Sequence, residues 1–137
     1  MSNTALIQYQ GNLRTQVTHL KSGQQFFTDA PTDNHGKGES ISPTDMVAAA
    51  TVSCMLTMMG IGAEARDLNM GELSGTVEKI MGNGPRRIAA LKVELKFVGH
   101  GLSETEKSLL ENIALNCPVT RSLHPDIAIN VKFTYDE

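Results

Sequence analysis

From Met46 to Ala63 the chain runs for 18 residues without a charge, and any fold it adopts must find cover for that segment. Ser42, Pro43 and Asp45 stand directly before it. Serine suits a helix N-cap, proline the first helical position, and an acid at the third position can return a hydrogen bond to the cap. The expected element is a helix from Pro43 to about Asp67. Beyond its first turn this helix has almost no polar face, so a sheet or a partner chain has to surround it. Its uncharged run reaches the lower limit for spanning a bilayer. Thr51, Ser53, Thr57, Gly60, Gly62 and several alanines dilute it, however, and no basic residue flanks its start to fix an orientation. The expectation is a buried central helix and no membrane partner.

The rest of the chain is patterned for short strands and one further helix. ALIQYQG (5–11), RTQVTHL (14–20) and QQFFT (24–28) read as strands, separated by Gly11-Asn12 and Ser22-Gly23. Residues 29–42, rich in Pro, Gly, Asn and Asp, read as a long loop, and in a compact domain such a loop often carries function. A strand is expected over 73–81, then a turn at Gly82-Asn83-Gly84-Pro85. In the next strand Leu91, Val93, Leu95 and Phe97 alternate with Lys92, Glu94 and Lys96, the period of a half-buried strand. Ser103 and Glu106 form a capping box for a second helix over 103–116. Pro118 interrupts that helix and permits a short turn to about Ser122. Ile129, Val131, Phe133 and Tyr135 close the chain as a final strand.

At 137 residues the sequence fits a single domain over 1–137. A net charge of −3 offers no basic surface for phosphate backbones, so nucleic acid is excluded as a partner. The first ten residues lack a basic start followed by an apolar run, which leads to an expected cytoplasmic location. In that reducing compartment a permanent disulfide is disfavoured, and paired cysteines point to transient, catalytic use.

The chain has two cysteines, Cys54 within the uncharged helix and Cys117 directly before Pro118. They are 63 positions apart, so only the fold can bring them together. Cys54 shares a helical face with Val47, Ala50, Met58 and Ile61. Apolar surroundings raise a thiol's pKa, and the helix dipole fades beyond the first turn, so Cys54 alone is inert. It needs a fixed positive charge, and Arg14, between two N-terminal strands, is the candidate. Cys117 can act as the N-cap of the turn that Pro118 starts, where unpaired N–H groups favour thiolate. Either cysteine could thus be the more acidic, and both could be small buried hydrophobes, the common fate of free cysteine.

The run SPTDMVAAATVSCM (42–55) resembles the first cysteine helix of the OsmC/Ohr family, the osmotically inducible and organic hydroperoxide resistance proteins. NCPVTRSL (116–123) resembles its second cysteine motif. The resemblance implies an α+β fold with two long central helices wrapped by antiparallel sheets, and an intertwined homodimer with active sites at the subunit interface. It also implies a peroxidase: Cys54 attacks a peroxide and becomes a sulfenic acid, and Cys117 condenses with it to a disulfide. An external thiol, a dihydrolipoyl group in the peroxidase branch, then reduces the disulfide, and no metal, haem or flavin cofactor takes part. Arg14, nine residues before Gly23, matches the place of the family's thiolate-stabilising arginine. One position departs from the pattern. Where the peroxidase branch has a glutamate that orients this arginine, ten residues before the first cysteine, the chain has Thr44, with Asp45 adjacent and Glu39 in the preceding loop. Which carboxylate, if any, orients Arg14 is left open. A different class of function stands beside the peroxidase: a non-catalytic module binding a small apolar or thiol-reactive ligand.

Other residues carry weaker signals. His35 and Lys37 could line the mouth of a site, although loop residues of this kind are mostly solvated. His19 and His124 lack the short spacing to each other or to a cysteine that a zinc site favours. Met55, Met58 and Met59 could soften a pocket for an apolar peroxide tail, but core filling is their commoner role. Gly36 and Gly38 do not follow a strand in a phosphate-binding pattern.

Overall fold

The computed structural model describes residues 2–137. The chain divides into two compact units, residues 1–46 and 47–137.

The first unit is a three-stranded antiparallel sheet of β1 (Ala5–Gly11), β2 (Arg14–His19) and β3 (Gln25–Asp29), in that order. The β1–β2 turn places Gly11, Asn12 and Leu13 at φ values of 83°, 55° and 65°. Glycine and asparagine adopt this left-handed region readily, whereas Leu13 does so at a cost on the order of 1 kcal/mol. Arg14 follows immediately. The three strands lie where the sequence places them, except that β3 extends to Asp29, the first residue of the expected loop. That loop contains a short 3-10 turn over Thr32–Asn34. It ends at the predicted capping box: Asp45 N donates to Ser42 Oγ at 3.0 Å and Ser42 N donates to Asp45 Oδ2 at 3.2 Å.

Helix α1 (Pro43–Ala65) starts at that box and lies mostly in the second unit, with α2 (Glu104–Leu115), α3 (Pro118–Ser122) and strands β4 (Glu72–Gly82), β5 (Arg87–Val98) and β6 (Ala128–Asp136). β5 is the central strand of this second sheet. It pairs antiparallel with β4 but parallel with β6, so the antiparallel expectation gives way at the last strand. A parallel neighbour needs a crossover, and α2 and α3 supply one between β5 and β6. Leu91, Val93, Leu95 and Phe97 of β5 are buried, as their alternation requires. They form one core with Val52, Met55 and Met59 of α1, Leu110 and Ala114 of α2, and Cys117.

Two glycines set how closely these layers approach. A Cβ on Gly75 of β4 would lie 2.6 Å from Val52 Cγ1 and 2.8 Å from Leu95 Cδ2, so α1 is seated on the sheet where a side chain is missing. A Cβ on Gly62 of α1 would meet Ile113 Cδ1 of α2 at 2.6 Å. α1 ends at Ala65, two residues before the expected boundary. Asp67 takes the left-handed conformation at φ 54°, and Leu68 N returns to Ala63 O at 2.9 Å, which stops the helix without a glycine.

The buried side of α1 carries Ala48, Thr51, Val52, Met55, Met59, Gly62 and Ala63. The opposite side, with Ala49, Ala50, Ser53, Thr57 and Ile61, is exposed. By length and composition α1 could cross a membrane, yet its inner face packs on β5 as a core helix does. Only 39% of its most apolar 18-residue stretch is buried, so the chain covers little more than one side of it.

Candidate functional site

Cys117 caps α3. Its backbone is extended at φ −69° and ψ 154°, and Pro118 occupies the first helical position, the arrangement expected from the sequence. The side chain makes no capping bond. Its sulfur lies instead 3.1 Å from the hydroxyl of Thr120. Cys117 is fully buried, and Cys54 is half-buried.

The second unit brings the two cysteines within interaction range of each other, both as free thiols. Burial pushes the Cys54 thiol above its ordinary value. The backbone N–H of Val119 pulls it down, and the neighbouring Cys117 thiol pushes it up again. The net direction is upward, so this surrounding does not by itself make a thiolate at neutral pH. The turn after Cys117 meets both sulfurs: the Val119 N–H favours charge on Cys54, and the Thr120 hydroxyl lies against Cys117. The helical face predicted for Cys54 (Val47, Ala50, Met58, Ile61) is half-buried to exposed, and so borders the open side of α1.

Arg14 lies in the first unit and is held there by Asp29. Its Nε donates to Asp29 Oδ1 at 2.8 Å and its Nη2 to Asp29 Oδ2 at 2.9 Å, a two-pronged pair. Glu39 N donates to the same Oδ2 at 3.1 Å. Arg14 also lies over the ring of Phe27, 5.3 Å from its centre. The guanidinium holds the Asp29 carboxyl below the usual carboxylate range, helped by the backbone N–H groups of Glu39 and Ser40. The hydrogen bonds that Arg14 donates to Asp29 in turn raise Arg14. Asp29, then, is the carboxylate paired with Arg14, where the sequence left open which carboxylate, if any, does this. Its signal was the hairpin register: with the turn at Ser22-Gly23, position 14 pairs with position 29. Arg14 and Asp29 line a polar cleft of about 280 Å³ with Gln10, Gly11, Asn12, Lys37 and Glu39.

The remaining candidates fall elsewhere. His19 Nδ1 is 2.6 Å from Ser22 Oγ, and His124 lies 3.8 Å from Asp126 Oδ2. Among the described residues, no three His, Cys, Asp or Glu side chains are grouped as a metal would require. Met55 and Met59 are core residues, and Met58 packs against that core. A depression of about 590 Å³ crosses β4, β5 and β6 between the side chains of Thr76, Glu78, Lys92, Glu94, Asn130 and Lys132, a mixed-charge surface with no cysteine.

With this geometry in view, the comparisons with known proteins fall into one class. The family model described as OsmC-like protein matches residues 36–132, and the chain belongs to that family. A candidate osmotic stress induced and detoxification response protein from Psychrobacter arcticus 273-4 is 40% identical, with a TM-score of 0.91 over 97% of this chain and 96% of that one. An OsmC like protein from Mycoplasma pneumoniae, 16% identical, superposes with a TM-score of 0.82 over 100% of this chain and 99% of the other. The organic hydroperoxide resistance protein OhrB of Bacillus subtilis, 17% identical, gives a TM-score of 0.68 over 96% and 98%. No curated protein matches the sequence.

Proposed function

We propose that this protein is a thiol-dependent peroxidase of stress defence, which reduces organic hydroperoxides or hydrogen peroxide through Cys54 and Cys117. The observation that carries the reading is the adjacency of a half-exposed thiol and a fully buried one. The family, and relatives named for hydroperoxide resistance and for osmotic stress and detoxification, support it.

The roles follow from exposure. Cys54, which solvent can reach, attacks as thiolate the O–O bond of the peroxide. One oxygen stays on sulfur as the sulfenic acid, and the other leaves, with a proton, as alcohol or water. Cys117 then attacks the Cys54 sulfur, forming the disulfide and releasing water. An external thiol reductant, such as a dihydrolipoyl protein, restores both thiols by exchange. The scheme uses no metal, haem or flavin. Because burial raises the Cys54 thiol, a cation must lower it, and Arg14, held in place by Asp29, is the group assigned that task.

The working unit in this reading is a homodimer in the cytoplasm. α1 leaves an uncharged side open, and the first unit exposes Leu6, Ile7, Tyr9, Phe26 and Phe27, a large apolar surface for a monomer. A second copy would cover such surfaces.

A second reading has its own observation. Thr44 stands where the peroxidase branch has glutamate, and the Cys54 thiol is raised, as suits a non-catalytic module that holds a small apolar or thiol-reactive ligand. Stoichiometric oxidation decides between them. Reduced protein is mixed with one equivalent of cumene hydroperoxide, then unfolded for thiol counting and mass spectrometry. Rapid loss of both thiols with a Cys54–Cys117 disulfide is the expected outcome. Loss no faster than that of a simple thiol would leave the binding module.

A further inference from the structure

The contact between Cys117 and Thr120 is not used by the scheme above, and it bears on the second of its two steps. Cys117 is fully buried, so bulk water does not solvate its sulfur when the proton leaves. The Thr120 hydroxyl, 3.1 Å from that sulfur, is the neighbouring polar group on the same turn. A hydroxyl rotates freely about its C–O bond and both donates and accepts. It can therefore accept a hydrogen bond from the Cys117 thiol and, once the proton is gone, turn to donate one to the thiolate. Hydrogen bonding to the charged form favours that form. The rest of the turn holds the sulfurs in register, because Pro118 fixes the first helical position and Val119 meets Cys54 with its N–H.

We propose that Thr120 is a positioning residue for disulfide closure: its hydroxyl holds the Cys117 sulfur and steadies it as a thiolate while that sulfur attacks Cys54. The physiological step rests on the peroxidase reading. In it the Cys54 sulfenic acid and the Cys117 thiol become one disulfide and one water. The S–O bond of Cys54 breaks, the S–S bond forms, and the thiol proton leaves with the departing hydroxide. No further oxidant or reductant is needed.

The test separates this step from peroxide chemistry. Reduced protein is treated with one equivalent of an aromatic disulfide that liberates coloured thionitrobenzoate. The accessible Cys54 forms a mixed disulfide and releases a first thionitrobenzoate. Cys117 then attacks the Cys54 sulfur and expels the second, so the slow phase of colour reads closure directly. Thr120→Val, close in shape, is expected to slow the second release relative to the first by about tenfold, the scale of a lost hydrogen bond to a charged group. Thr120→Ser, which restores the hydroxyl, should return the ratio to within about twofold of wild type on the same scale. An unchanged ratio in Thr120→Val, or a Thr120→Ser variant as slow as Thr120→Val, would overturn the proposal. A parallel reaction with cumene hydroperoxide reads the peroxidase assignment separately. A wild-type protein inert to peroxide would remove that assignment, while the two-phase colour release still judges Thr120.

Discussion

The two units of this chain solve the problem of stability in different ways. Residues 47–137 bury Met55, Met59, Leu91, Leu95, Phe97 and Leu110 completely and so own a core. Residues 1–46 do not. There, among the described residues, the buried ones are Thr28, Asp29 and Ser42, all polar. Among the described residues, eight of the ten large apolar side chains left exposed belong to this first unit. A three-stranded sheet with so little of its apolar surface covered is marginal by itself in water. The contrast teaches that the half with the cysteines carries its own apolar core, whereas the half with Arg14 leaves most of its large apolar side chains exposed.

The contrast can be broken most sharply at the cysteines, since the peroxidase reading puts both thiols in the self-sufficient half. Cys54→Ser should abolish peroxide consumption. Cys117→Ser should still consume one equivalent and leave a sulfenic acid that dimedone traps. Equal rates in both variants and wild type, followed by ferrous oxidation assay, would end the two-cysteine scheme.

The next largest effect concerns the missing cover. Ile61, 57% exposed on the open side of α1, should sit in the contact between copies. Ile61→Glu would place a charge there, and light scattering after gel filtration should find a monomer for the variant and the proposed dimer for the wild type. A monomeric wild type at micromolar concentration would mean that the open side needs no second copy.

A smaller effect is expected within the cored half. Gly75→Ala drives a methyl against Val52 and Leu95, both buried in the core. Over-packing of this kind costs about 1–3 kcal/mol, readable as a lower urea midpoint. An unchanged midpoint would show that α1 can retreat from β4 without loss.

The smallest effect belongs to the Arg14–Asp29 pair. The Asp29 carboxyl is lowered in the folded chain, chiefly by its hydrogen bond to Arg14. The stability it adds is therefore complete above the ordinary carboxylate range, near about pH 4, and fades as pH falls through the lower folded value. Asp29→Asn should remove that part of the acid dependence, measured by urea melts at pH 7 and at pH 3. Identical pH dependence in variant and wild type would show that the pair adds nothing to folding.

Much of the second unit was legible because its signals are local. The alternation of Leu91, Val93, Leu95 and Phe97 marks a strand buried on one face, and Ser103 with Glu106 forms the capping box that the sequence announces. Cys117 before Pro118 gives an N-cap for the same reason: proline without an N–H belongs at the first helical position. What the sequence hid was relational. Nothing in AINVKFTYD states that β6 runs parallel to β5, because strand direction is set by the crossover and not by the strand's own pattern. Asp29 opens the turn-like run Asp-Ala-Pro, and only the β2–β3 register reveals that it faces Arg14. The Thr120 contact depends on a side-chain rotamer in a five-residue turn, which spacing alone does not specify.

The unequal burial of Cys54 and Cys117 also makes the chain its own folding gauge. A bulky maleimide should label one thiol per native molecule and two per unfolded molecule, so the labelling ratio reads out the fraction of chains whose cored half has opened. Storage losses, damaging variants and bound ligands could then be compared on one scale, with no added dye and no engineered tag.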